Sequence, residues 1–330
     1  MSDESSPQPE SQKFDDDINY WGIWFKGMLA SNVAGLVCLA IINYILTGGN
    51  FRQFLRAEGT SSVIIASTFL ALPFAMGFGA SFFWKAANMT PRGRFSWTFF
   101  NLLISIVGSY VVLHEGVICL LMAFLLLWCV MWAGCEMGDV FWRHNSFLGA
   151  TVLPLLALII LYDASQPHFF SSQAQTTMHS DLPPSKLWPY VASYPRNDAP
   201  PEWWLWRIGA PYPLQVTGDA RVGGRRDCLF SGGVSVGEKV VKVDEGRMIE
   251  FEIDKQPNHP EVVNHFEVTR ARMELLPDGH GGTIMRGTGW YNLQVYPTWY
   301  FAPWCDAALH HVHERVFLHM ERLARQKDSH

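Results

Sequence analysis

The chain has 330 residues, of which 49% are hydrophobic and 17% are charged, and its formal net charge is −5. This length is enough for two structural units, and the acidic balance without a basic stripe excludes nucleic acid as an expected partner. Residues up to Tyr162 are mostly apolar, whereas those from Asp163 have the charge density of a soluble protein. The composition therefore predicts a membrane unit followed by a water-soluble domain.

Residues 1–20 form a polar, acidic segment, for which we expect disorder because it has little apolar surface to bury. Residues 95–135 are apolar over roughly twice the length of one bilayer crossing, which predicts two membrane helices. Residues 21–165 as a whole are predicted to form an α-helical transmembrane bundle of about five helices. The predicted spans are 24–46, 63–84, 97–113, 116–135 and 147–162. Small residues from Gly77 to Ser81 predict close helix packing.

Basic residues lie mainly on one side of the predicted bundle: Lys13, Lys26, Lys85, Arg92, Arg94 and Arg143. The positive-inside rule then places the N-terminus in the cytoplasm. Five spans place the C-terminal domain in the periplasm or outside the cell, with the bundle in a bacterial inner membrane. One span more or fewer reverses this orientation. Glu115, Glu136, Asp139 and His144 are expected to be interfacial residues.

Residues 166–177 are polar and are predicted to be a linker before a folded domain over 178–326. A short helix near Ser185 is followed by segments with strand-like alternation, at 225–230, 234–243, 248–253, 265–276 and 283–295. A long amphipathic helix over 299–325 ends the domain. An α+β fold follows, in which the helix packs across a strongly curved antiparallel sheet.

Residues 176–325 resemble the START-like superfamily, also called SRPBCC or polyketide cyclase/dehydrase-like, in its membrane-anchored bacterial form. The matching residues are 182–188, 224–232, Glu238, 244–247, Phe251, 287–291 and 310–319. The resemblance implies a helix-grip fold around an apolar cavity that binds lipids, sterols, polyketides or hormones, with catalysis in some members. It also implies that His313 and Arg315 brace the closing helix. No catalytic residue carries over, because the superfamily shares a cavity and not a catalytic triad.

Aromatic residues are abundant in this half, and a set of them predicts a lining for a flat or long apolar ligand. The predicted ligand-binding residues are Phe230, Phe251, Trp290, Tyr291, Trp299, Trp304 and Arg270. Strand arginines are expected either to face the ligand or, preferably, to form outward ion pairs with Glu238, Glu250 or Glu267. Gly287 and Gly289 share one face of a strand and permit close approach of a helix or ligand.

The chain has no CxxC or HExxH motif, so we predict no metal site and no cofactor. Our first hypothesis is a membrane-anchored, non-enzymatic domain that binds a hydrophobic or lipid-like molecule. The second is a cyclase, dehydratase or hydrolase, which requires a buried acid or histidine among Glu238, His265, His310 and His313. The third is an interaction or assembly protein with an unknown protein partner.

Overall fold

The computed structural model describes residues 19–46, 66–113, 116–144 and 170–328, apart from 260, 263 and 264, together with residues 154, 158 and 161. The predicted disordered tail and most of the predicted span 147–162 lie outside the described residues. The described chain consists of a helical N-terminal part and an α+β C-terminal domain.

The N-terminal part contains four long helices in the described ranges: α1 (Tyr20–Leu46), α2 (Ala66–Trp84), α3 (Pro91–Leu113) and α4 (Val117–His144). Two stretches, Leu70–Ala87 and Val117–Arg143, are long and apolar enough to cross a membrane. The prediction of about five spans is therefore supported for two of them. Polar residues such as Asn101 and Ser105 lower the hydropathy of α3, and Asn101 bonds instead to Ser31 on α1.

Helices α2 and α4 approach each other closely because small residues line their contact. A Cβ atom on Gly77 would lie 1.9 Å from the Met131 carbonyl oxygen, and one on Gly134 would lie 2.2 Å from the Phe74 carbonyl oxygen. These distances leave room for glycine only. The predicted packing role of residues 77–81 is thus confirmed for Gly77, as in other small-xxx-small helix contacts.

Helix α4 extends nine residues past its predicted end at Cys135, because its last turns carry an ion-pair network. Arg94 on α3 binds Glu136 through two nitrogen–oxygen contacts of 2.9 and 2.5 Å, and lies 3.1 Å from Asp139. Arg143 pairs with Asp139 at 2.8 Å. Arg94 and Asp139 are both buried, so these charges satisfy each other at one end of the bundle.

The C-terminal domain is one antiparallel sheet in the order β1-β7-β6-β5-β4-β3-β2. Its strands are β1 (Phe170–Ser180), β2 (Pro213–Gly218), β3 (Arg225–Phe230), β4 (Ser235–Asp244), β5 (Met248–Lys255), β6 (Phe266–Pro277) and β7 (Thr283–Leu293). Short helices α5 (Pro184–Leu187), α6 (Pro189–Ala192) and α7 (Trp204–Arg207) precede β2 and β3. The closing helix α8 (Thr298–Asp328) packs on β1 and β7. The predicted helix-grip architecture is confirmed.

The predicted linker over 166–177 is wrong from Phe170 onward, since residues 170–180 form β1 along the whole of β7. β1 is an edge strand with one face in solvent, which explains its polar composition. Only Ala174, Thr176 and Ser180 are buried in it, too few for a recognisable apolar alternation. The second edge strand, β2, was also absent from the predicted strands.

The first turns of α4 contact the C-terminal domain directly. The Glu261 carboxylate accepts hydrogen bonds from the backbone N–H groups of Ile118 and Cys119, and the Tyr300 hydroxyl donates one to the Met122 carbonyl oxygen. Ala123 is buried in a cluster with side chains from β7 and α8, including Tyr291 and others (Leu293, Val295, Phe301, Leu309). The two parts of the chain therefore share a hydrophobic core.

Candidate functional site

The concave face of the sheet is turned towards α8 and is largely filled by side chains of both layers. Fully buried residues meet there from three strands and the helix: Ile249, Leu275, Met285, Phe317 and Met320. The apolar space that the resemblance implies is thus occupied by core side chains over this part of the domain.

Helix α8 lies against β7 at the two glycines. A Cβ atom on Gly287 would be 2.8 Å from the His313 ring, and one on Gly289 would be 3.3 Å from Leu309. The Thr176 hydroxyl lies 3.0 Å from His313 Nδ1 and 3.1 Å from His310 Nδ1. Burial lowers the pKa of His313 to about 4, and the neighbouring His310 adds to this effect. A neutral His313 therefore fixes the helix to β1.

A charged pair lies at the other side of this face, on neighbouring strands. Arg226 on β3 is opposite Glu238 on β4, and Arg226 Nε is 3.0 Å from Glu238 Oε2. The guanidinium also lies 4.0 Å from the centre of the Phe251 ring and donates to the Val191 carbonyl oxygen at 2.6 Å. Burial raises the pKa of Glu238, although Arg226 opposes the shift.

Tyr194 and His319 adjoin this pair. Tyr194 packs with Cys228, which lies two residues along β3 from Arg226 on the same face, and its ring is 5.3 Å from that of His319. His319 Nε2 bonds to the Pro195 carbonyl oxygen at 2.9 Å. Burial raises the pKa of Tyr194 well above its ordinary value and lowers that of His319. We call Tyr194, Arg226, Glu238 and His319 the buried polar cluster.

The buried polar cluster is short of hydrogen bonds. Tyr194 Oη, Arg226 Nε, Glu238 Oε2 and His319 Nδ1 are buried atoms without a hydrogen-bond partner among the described residues. The contact between Arg226 Nε and Glu238 Oε2 is an ion pair whose angles do not make a hydrogen bond. Native structures pair the great majority of buried polar atoms. Their concentration here marks the cluster as the candidate site.

A surface groove of about 440 Å³ lies directly outside the cluster. Its walls come from the α6 region and from edge strand β2, and Tyr194 is part of its lining: Pro189, Tyr190, Ser193, Tyr194, Pro195 and residues 215–218. Tyr194 is 4% exposed and its hydroxyl is buried, so only a small part of this residue faces the groove.

The predicted ligand-binding residues are not brought together at one place. Phe251 and Tyr291 are buried on the concave face, where Tyr291 donates a hydrogen bond to Asp306 at 2.7 Å. Phe230 packs beside Tyr194 and Cys228. Their role in ligand binding stays a prediction.

The remaining predicted ligand-binding residues point elsewhere. Arg270 and Trp290 alternate with the concave positions and lie on the convex face, where Arg270 pairs with Glu250 at 3.2 Å and lies over the Trp290 ring. This is the outward ion pair that the sequence favoured, and it removes both residues from the concave site. Trp299 is 72% exposed, and Trp304 is half-buried on the same helix.

Glu238 was a candidate from the sequence, but its neighbours Tyr194 and His319 were not predicted to lie beside it, because they are 44 and 81 residues away in the chain.

Arg315, expected to brace α8, is buried and donates hydrogen bonds to the carbonyl oxygens of Ala199, Pro200 and Pro213. No group of three or more metal-ligating side chains occurs in the described part of the chain.

Residues 172–325 match the family model described as polyketide cyclase / dehydrase and lipid transport. No curated protein matches the chain. Among solved structures, an uncharacterised protein from Bacillus thuringiensis is 13% identical, covers 46% of this chain and 98% of its own, and has a TM-score of 0.32.

Norcoclaurine synthase from Thalictrum flavum is 14% identical, covers 49% of this chain and 99% of its own, and has a TM-score of 0.31. A Staphylococcus aureus protein of unknown function is 11% identical, covers 48% of this chain and 98% of its own, and has a TM-score of 0.34. The family match and the sheet closed by α8 agree with the sequence resemblance. Residues 172–325 are a START-like (SRPBCC) domain of the polyketide cyclase/dehydrase type.

Proposed function

We propose that this chain is a membrane-anchored START-like protein that binds a hydrophobic or lipid-like molecule without transforming it. The observation that carries the proposal is the buried polar cluster, where Tyr194 Oη and His319 Nδ1 lack a hydrogen-bond partner among the described residues, and Arg226 Nε and Glu238 Oε2 meet only as an ion pair. Leaving such an atom unsatisfied costs about 1–3 kcal/mol. A ligand whose polar end supplies the missing hydrogen bonds recovers that cost, and a few convergent polar groups in an apolar lining fix a ligand's orientation.

The charges of the cluster favour an uncharged polar end on the ligand. Arg226 and Glu238 already neutralise each other, so a charged group placed beside them would be left without a counter-charge in a buried site. Tyr194 and Arg226 offer hydrogen-bond donors, and Glu238 and His319 offer acceptors. A hydroxyl group, which both donates and accepts, satisfies this set.

The proposed membrane arrangement comprises five spans within residues 21–165, a cytoplasmic N-terminus and an extracytoplasmic START-like domain over 178–326 in a bacterial inner membrane. Two contacts support it. Trp84 bonds to the Trp24 carbonyl oxygen at the end of the bundle that also holds Arg94. The START-like domain contacts the opposite end of α4, at Ile118.

The test is to purify the full-length protein in detergent and to identify co-purified small molecules by mass spectrometry. We expect an uncharged amphiphile in the wild-type protein. Tyr194→Phe should retain about two- to twelvefold less of it, since one hydrogen bond contributes about 0.5–1.5 kcal/mol. Arg272→Met, which alters a convex ion pair, is the matched control and should retain the wild-type amount. A wild-type protein free of bound molecules, or equal retention by Tyr194→Phe, contradicts the proposal.

An enzyme is the second candidate, because burial raises the pKa of Glu238 as a general acid requires. The two functions differ in what happens to the bound molecule. An enzyme returns a chemically altered compound after incubation and loses this conversion in Glu238→Gln, whereas a binding protein returns the molecule unchanged.

A further inference from the structure

Residues 293–305 carry no charged side chain between the end of β7 and the second turn of α8. They are rich in aromatic residues instead: Tyr296, Trp299, Tyr300, Phe301 and Trp304. The first charge of α8 is Asp306, and its carboxylate accepts the Tyr291 hydroxyl. Trp and Tyr are enriched where a protein meets the headgroup layer of a bilayer.

This segment is attached to the first turns of α4. The Tyr300 hydroxyl donates to the Met122 carbonyl oxygen at 2.6 Å, and Phe301 shares a cluster with Ala123. One loop away, Glu261 holds the N-terminus of α4 at Ile118. The start of α8 is therefore at the same level as residues 118–123 of α4.

The depth of that level follows from the charged end of α4. Glu136 and its partner Arg94 belong at or beyond one boundary of the hydrocarbon layer, because charges are costly inside it. A hydrocarbon layer of about 30 Å corresponds to about 20 helical residues at about 1.5 Å each. Counting back from Glu136 reaches Gly116, so Met122 lies about 9 Å inside the opposite boundary. The start of α8 then lies within the bilayer too.

The surface at this level is apolar on both elements. Trp299 is 72% exposed, and its ring lies 5.9 Å from that of Tyr300. On α4, Leu121 and Leu125 are 60% and 59% exposed. Exposing such large apolar side chains to water is unfavourable, whereas lipid covers them without this cost.

We propose that the START-like domain is itself immersed in the membrane surface, with residues 293–305 inserted into the nearer leaflet and Trp299 in contact with lipid. The inference rests on the proposed crossing of the bilayer by α4. It gives Trp299 a lipid-facing position on the outside of the domain instead of a place in the ligand site.

The test uses the full-length protein in phosphatidylcholine vesicles, with the photocrosslinking residue p-benzoylphenylalanine at one position at a time. Trp299 is the test position. Leu103, 41% exposed midway along α3, reports whether the bundle crosses the bilayer. Leu318, 40% exposed on α8, is the matched control, because it lies about 28 Å along the same helix from Trp299.

We expect lipid adducts at Trp299 within about threefold of those at Leu103 and at least about tenfold above those at Leu318. Adducts at Leu103 with only the Leu318 level at Trp299 overturn the immersion and leave the membrane arrangement intact. Adducts at neither Leu103 nor Trp299 overturn both. Equal adducts at Trp299 and Leu318 also overturn the proposal, because they show non-specific contact.

Discussion

Glu261 accepts a hydrogen bond of 2.9 Å from the backbone N–H of Ile118, which lies 143 residues earlier in the chain. A helix N-terminus has N–H groups without partners inside the helix, and a carboxylate there also interacts favourably with the helix dipole. The START-like domain thus supplies the N-terminal cap of α4, and the two parts of the chain are joined by more than their covalent connection.

Replacing this cap should loosen the first turn of α4. We expect Glu261→Ala to cost about 1–2 kcal/mol locally, because two backbone donors lose their acceptor. Hydrogen exchange of the Ile118 and Cys119 amides should become at least about fivefold faster. Glu252→Ala, at an exposed position on β5, is the control. Unchanged exchange in Glu261→Ala would show that the cap is not formed in solution.

The buried pair in the polar cluster should respond differently to single and double replacement. We expect Arg226→Met to destabilise the protein by about 3–5 kcal/mol, because Glu238 is then a buried charge without its partner. Arg226→Met combined with Glu238→Leu should recover most of this loss. Arg272→Met should cost less than Arg226→Met, since the buried Glu250 still pairs with Arg270. Denaturant unfolding in detergent measures all three, and a double variant as unstable as Arg226→Met contradicts the expectation.

Protonation of His313 in the unfolded state should lower the free energy of unfolding at acidic pH. The pKa of an unfolded histidine is about 6.5, and burial lowers that of His313 to about 4. Between these values the unfolded state binds more protons than the folded state. The free energy of unfolding should therefore decrease by up to roughly 3 kcal/mol as the pH falls from about 6.5 to about 4.

The His313→Leu variant isolates this effect, because it removes the titrating ring and leaves His310 beside Thr176. Its unfolding free energy should vary less over the same pH range. An equal slope in wild type and variant would assign the pH dependence to other groups.

The contact between α2 and α4 predicts a sharp difference between two neighbouring glycines. Gly77→Ala should destabilise the bundle by at least about 1–3 kcal/mol, because its methyl group would meet the Met131 backbone. Gly79→Ala should be nearly neutral, since its nearest neighbour is the Ala34 Cβ at 3.5 Å. Thermal unfolding in detergent compares the two, and equal midpoints would mean that the helices do not pack in this way.

The spacing of apolar residues within single segments was sufficient to predict much of the fold. The strand predicted at 225–230 is confirmed without change, and the closing helix differs from its prediction by one residue at its start and three at its end. Edge strands β1 and β2 were missed because a strand with one solvated face carries little apolar pattern.

The candidate site was less accessible to sequence reasoning. Arg270 reaches the convex face because β6 has a bulge between Val268 and Arg270, whereas Trp290 follows the ordinary alternation of β7 beside Tyr291. A single added residue reverses which side chains face the core, and no local pattern reveals it.

The amino-acid sequence alone determined the two-part organisation and the sheet-and-helix architecture, because these depend on hydrophobic patterns that are local in the chain. The superfamily followed from the resemblance of residues 176–325 to known members. The tertiary structure alone decided which polar groups of the described residues are buried without hydrogen-bond partners and where α4 meets the START-like domain. Both depend on distances between residues far apart in sequence, such as Tyr194 and His319 or Met122 and Tyr300, and those distances are set by packing.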